Sequence, residues 1–186
     1  MEKPSSKLII KNMGQYYKAI LLDKEKENVI GWVSSWQYDS GSKLMEHSWM
    51  KNDFVCAFEN MIYNNPMPVV WGGDYADGVD GSEDGDNFYN LCEEKTNLTP
   101  ATILGEHKSR YVINHDTKEY VDKNNVPEKD GWKIHPLPLL TAEGNGRGGG
   151  DFRGESELVG LWSRDVISVS EKIPEGYTEL EFDLVE

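Results

Sequence analysis

The sequence predicts an α+β fold in which an antiparallel or mixed sheet, built largely from hairpins, is joined by one main amphipathic helix. Three observations lead there. Strand-forming segments outnumber helical ones, they come in pairs joined by short polar connections, and only residues 52–63 carry a strong helical apolar period. The 186 residues contain no internal repeat and no clear linker, and they suit one domain with a core of its own.

Tyr16-Tyr17-Lys18-Ala19-Ile20-Leu21-Leu22 and Val29-Ile30-Gly31-Trp32-Val33 are rich in strand formers, with charged Asp23 to Asn28 as a hairpin connection. Asn52 is placed to cap a helix whose apolar residues Phe54, Val55, Phe58, Met61 and Ile62 share one face. Asp53 suits the positive end of its dipole, and Pro66 and Pro68 stop it. Val69-Val70-Trp71 then reads as a short buried strand, and Asn87 to Glu94 as a short helix. Arg110 to Ile113 and Glu119 to Val121 flank a second hairpin turn at Asn114 to Lys118. Val166 to Val169 and Tyr177 to Leu184 are late strands. In the last, Leu180, Phe182 and Leu184 alternate with Glu179, Glu181 and Asp183, one face apolar and one acidic.

Composition narrows the function classes. No apolar run approaches the roughly 20 residues that cross a bilayer, and no signal core follows the N-terminus. Cys56 and Cys92 are too few for a disulfide framework and lack metal spacing, so a reducing cytoplasm is the expected compartment. The net charge is −14. Eight acids and no Lys or Arg fall between Asp74 and Glu94, and six acids face a single Lys172 from Glu171 onward. Direct binding to nucleic acid or an anionic membrane draws on clustered cations and is disfavoured. The expected partner is a basic protein surface, a nucleic-acid-binding protein among them.

Two segments stand out as candidate sites. Six glycines lie between Gly144 and Gly154, after the proline-stiffened run His135 to Leu140. Gly144, Gly146 and Gly149 match G-x-G-x-x-G, but no helical period follows and no Gly-Lys-Ser/Thr completes a phosphate loop. The stretch is either a close-packed structural loop or a nest in which Gly146, Arg147, Gly148, Gly149 and Arg153 hold an anion. The acidic stretch Asp74 to Asn87 partly matches a calcium loop from Asp80, with Gly85 at the sharp turn but Leu91 in place of the bidentate Glu. Asp74 and Asp77, just past the buried strand, are candidate ligands of a divalent cation; the alternative is that both bond to turn N–H groups. Asp80, Glu83, Asp84 and Asp86 are candidate partner contacts, as are the acids of the last strand.

Catalysis would draw on His47, His115 and Asp74. His47 lies in Glu46-His47-Ser48, and His115 in a hairpin turn. His135 is a further candidate base, and no histidine pairing has zinc spacing. A structural hydrogen bond is the competing role for each ring.

The motifs Met13-Gly14-Gln15-Tyr16-Tyr17-Lys18-Ala19, Lys43 to Trp49, Val69 to Asp77 and His135 to Gly154 resemble a family of uncharacterised proteins from bacteria and their phages or mobile elements. The resemblance covers most of the chain, which makes residues 13–186 the domain and residues 1–12 an N-terminal extension. It transfers no catalytic role to any residue. It implies a setting in which small acidic proteins block host enzymes. The leading expectation is therefore an acidic cytoplasmic binding protein, an inhibitor or decoy for a basic surface on a larger protein. The competing expectation is a hydrolase or phosphate-ester enzyme, or a small-ligand module, that pairs the glycine-rich stretch with a divalent cation.

Overall fold

Strand β3 (Met67–Gly73) lies at the middle of the sheet because its residues are apolar on both faces. The computed structural model describes residues 15–80, 82, 85–98, 109–144 and 156–184. Before β3 come β1 (Tyr17–Leu22), β2 (Val29–Ser34), a one-turn helix α1 (Leu44–His47) and the main helix α2 (Asp53–Met61). After it come β4 (Tyr111–Asn114), β5 (Glu119–Asp122), the short hairpin β6 (Glu128–Lys129) and β7 (Trp132–Lys133), and α3 (Pro136–Leu140). Then follow β8 (Ala142–Glu143), β9 (Val166–Ser170) and β10 (Thr178–Glu179). The sheet runs β10-β5-β4-β9-β3-β1-β2, with β8 also pairing β3. It is mixed: β10 runs parallel to β5 and β8 parallel to β3, and the other pairs are antiparallel. The fold is α+β with one main helix.

Both expected hairpins form. In the first, Asp23 closes the turn by accepting from the backbone N–H groups of Glu27 and Asn28 and from the Asn28 carboxamide. In the second, Asn114 Oδ1 accepts from Asp116 and Thr117 N–H. Asn52 caps α2 by accepting from Phe54 and Val55 N–H.

The apolar face of α2 packs on Trp71, and Phe54 and Phe58 meet its indole at 5.2 and 5.3 Å between centroids. Trp162, Leu137, Leu139 and Leu140 complete that core. On the opposite face Ile20, Leu22 and Val70 pack under Phe88.

Three expectations change. Residues 88–91 form hydrogen-bonded turns, and the nearest helical turn after them among the described residues is a 3-10 turn at Glu94–Thr96. Asn87 is the reason: its carboxamide bonds to the Asp74 and Ala76 carbonyls and to Asn90 N–H instead of leaving the backbone to coil. Pro68 sits inside β3 beside Val166, and α2 ends earlier, at Met61. The last strand pairs only at Thr178 and Glu179, although the extended chain keeps its alternation to Leu184.

Candidate functional site

The sequence-predicted catalytic residues are spread over separate parts of the molecule. His47 is fully buried on the α2 side of the sheet. Trp71 Nε1–H donates to His47 Nε2 at 2.9 Å, so the ring carries its proton on Nδ1 and donates it to the Gly41 carbonyl at 2.9 Å. Burial lowers its pKa to about 4, so the ring is neutral. With both nitrogens committed inside the core, His47 is a structural ring rather than a general base. Its neighbours diverge as well: Glu46 accepts from Lys43 N–H, and Ser48 donates to the Leu44 carbonyl.

Asp74 does not meet it. Its Oδ1 accepts from Tyr16 N–H at 3.0 Å, and its field acts on Lys18 and Tyr89, on the other side of the sheet. Burial raises the Asp74 pKa against the bond from Tyr16. Lys18 lies 3.9 Å from the Tyr89 ring and 4.6 Å from the Trp32 ring, and burial lowers its pKa. Asp77 is exposed. A cation held by Asp74 and Asp77 would compete with the Tyr16 bond and the Lys18 ammonium. Among the described residues no group of three or more His, Cys, Asp or Glu is placed to hold a metal ion. Asp74 and Asp77, as placed, do not fit the expected divalent cation.

His115 is half-buried between Tyr177 Oη at 3.0 Å and Ser168 Oγ at 2.7 Å, so it ties the β4–β5 turn to β9 and the C-terminal loop. Burial lowers its pKa against the pull of Asp116. His135 Nδ1 accepts from Leu137 N–H and caps α3, which leaves Nε2–H to donate to Glu59 at 3.0 Å. Lys123 Nζ reaches the same carboxylate oxygen at 2.7 Å.

Gly146, Arg147, Gly148, Gly149 and Arg153 lie outside the described residues, as do Glu83 and Asp84. Asp80 is exposed and Asp86 half-buried. The entry to the glycine-rich stretch is closely packed: a Cβ on Gly144 would lie 2.6 Å from Tyr17 Oη and from Gln15 Oε1.

One large depression in the described surface is one the site motifs did not indicate, and it is aromatic. It measures about 820 Å³ and is lined by Trp49, Trp132, Glu46, Glu128, Lys51 and Lys133, among others. Local structure sets both indoles. Met50 N–H donates to the Lys133 carbonyl and His135 N–H to the Ser48 carbonyl, with Trp49 bridging Ile134 between them. Trp49 Nε1–H is anchored on the Met45 carbonyl at 2.7 Å. The β6–β7 hairpin turns through Asp130 and Gly131, at φ 52° and 80°, the two positive values of a type I′ turn. It presents Trp132, 61% exposed, edge-to-face with Trp49 at 5.7 Å. The signal was Asp130-Gly131 itself, a hairpin dipeptide followed directly by a tryptophan.

The C-terminal strand leads to this pocket. Leu180 and Phe182 line a groove beside Val121 and Val126, and Leu184 lines a recess shared with Trp49 and Trp132. The alternating Glu179, Glu181 and Asp183 stay exposed along the same path.

No protein-family model matches the chain, and no curated protein or solved structure does. No helix among the described residues is long and apolar enough to cross a membrane.

Proposed function

We propose that this chain is a binding protein that engages a basic surface on a larger protein, in the manner of an inhibitor or decoy. One observation carries the reading: the last strand bears exposed Glu179, Glu181 and Asp183 and, through Leu184, lines a recess beside two tryptophans. Carboxylates in a row attract and orient a cationic partner, and exposed aromatic rings supply the desolvated contact that holds it. Asp77 and Asp80 extend the negative field elsewhere on the surface. The motif resemblance to phage and mobile-element proteins fits an inhibitor of a host enzyme, with nucleic-acid-binding proteins as the natural basic targets. An acid–base enzyme is a weaker reading, because the His47 nitrogens are spent in the core and Asp74 faces other residues.

Affinity capture from a bacterial lysate at low salt, followed by titration of the purified captured protein, tests the reading. The expected partner is basic, its affinity falls as salt rises, and Glu179→Gln/Glu181→Gln/Asp183→Asn weakens it. Affinity that ignores both salt and the three substitutions would overturn the proposal.

A further inference from the structure

Resting on the binding role proposed above, we infer that the Trp49–Trp132 pocket receives an arginine side chain from the basic partner. The indole N–H of Trp49 is already bound to the Met45 carbonyl, so its ring surface is what it offers a ligand. Trp132 stands mostly in solvent beside it. Indole faces carry the negative lobe of the ring quadrupole, and tryptophan is the strongest of the aromatic side chains in attracting cations. Glu46 and Glu128 line the same pocket and supply acceptors. Lys51 and Lys133 line it too, but the Lys133 ammonium is turned to the Asn124 carbonyl at 3.3 Å.

The last strand gives the approach a sign: it carries exposed Glu179, Glu181 and Asp183 and reaches the shared recess through Leu184, so a cationic segment drawn to these acids is brought close to the indoles. Between the two basic side chains, the planar guanidinium stacks on a ring while keeping its in-plane N–H groups for carboxylates. The more strongly hydrated ammonium of lysine does this less well. About 820 Å³ holds that side chain together with its neighbours in an extended segment.

The test uses the full chain and two fluorescent peptides of equal length and charge, one alternating arginine with glycine and the other lysine with glycine. Anisotropy at low and physiological salt gives affinities, and tryptophan emission reports the pocket. The arginine peptide is expected to bind about tenfold more tightly than the lysine peptide. Trp132→Ala, at an exposed position, should erase that ratio while the far-ultraviolet circular dichroism stays unchanged. Glu179→Gln/Glu181→Gln/Asp183→Asn should weaken both peptides and keep the ratio. Equal affinities, or a ratio that survives Trp132→Ala, would overturn the arginine pocket while salt-dependent binding left the basic-partner reading standing. Failure of both peptides to bind would overturn both. A tryptophan response to a neutral oligosaccharide but to neither peptide would make the pocket a glycan site and overturn the inference.

Discussion

The indole N–H of Trp71 donates to Nε2 of His47, and that bond fixes the tautomer of a ring sealed between α2 and the sheet. A protonated His47 would have to turn a second N–H against the indole donor, so the core admits only the neutral ring. The folded-state pKa of about 4 lies below the ordinary 6.5. The unfolded chain therefore binds this proton first as pH falls. The His47 contribution to stability is complete above pH 6.5 and is lost between 6.5 and about 4. It amounts to at most about 3 kcal/mol. Urea unfolding across that window should show the loss, and His47→Gln should reduce its slope, with the share owed to His115 and His135 remaining. A profile unchanged by His47→Gln would refute the assignment.

Glu59 is buried with Lys123 and the His135 N–H on the same oxygen. Burial alone would raise its pKa, but the two donors hold the carboxyl well below its usual range. Lys123→Met leaves a buried carboxylate without its cation and should cost about 3–5 kcal/mol. Adding Glu59→Leu to that variant should restore part of the loss. Strictly additive losses in the double-mutant cycle would show that the pair is not coupled.

Gly144 and Gly131 separate two demands on glycine. At Gly144 a methyl group would meet Tyr17 and Gln15 at 2.6 Å, so Gly144→Ala should destabilise by about 1–3 kcal/mol through crowding. At Gly131 nothing lies within 4 Å and only φ +80° is at stake, so Gly131→Ala should cost about 1 kcal/mol. Denaturant midpoints would rank the two, and equal or reversed costs would count against the crowding at Gly144.

Burial pushes the Cys92 thiol up to about 12, and it donates to the Phe88 carbonyl. At pH 8 almost none of it is thiolate, so alkylation by iodoacetamide should be slow in the folded protein and fast in denaturant. Mass spectrometry on digested samples resolves Cys92 from Cys56. Rapid modification of folded Cys92 would contradict this environment.

The hairpins were readable in the sequence because their turns carry their own chemistry: Asp23 with Asn28, and Asn114 with the two N–H groups that follow it. The helix announced itself through Asn52 and an apolar period. Side-chain roles were not readable in this way. The residue types around His47 suit catalysis as well as they suit a buried hydrogen bond, and only the approach of Trp71 decides between them. The aromatic pocket depends on a ladder between residues 48–50 and 133–135 that no local pattern encodes, although Asp130-Gly131 marked one wall of it. The alternating acids of the last strand predicted its two faces, while the pocket they lead to depends on tertiary packing.

The central strand also sets an order of assembly. β1 with β2, and β4 with β5, are joined by short turns and close from local encounters. The two halves of the sheet meet where Met67 pairs with Ile167 and Pro68 with Val166, about a hundred residues apart along the chain. Such a junction must await the loss of a long loop's freedom, and Pro68 has no N–H to give the ladder in return. Chain closure at that seam is the step expected to be slow on the way to the native state. Until it happens, the β3 and β9 edges stand open to one another and to neighbouring chains, so refolding yield should fall as protein concentration rises.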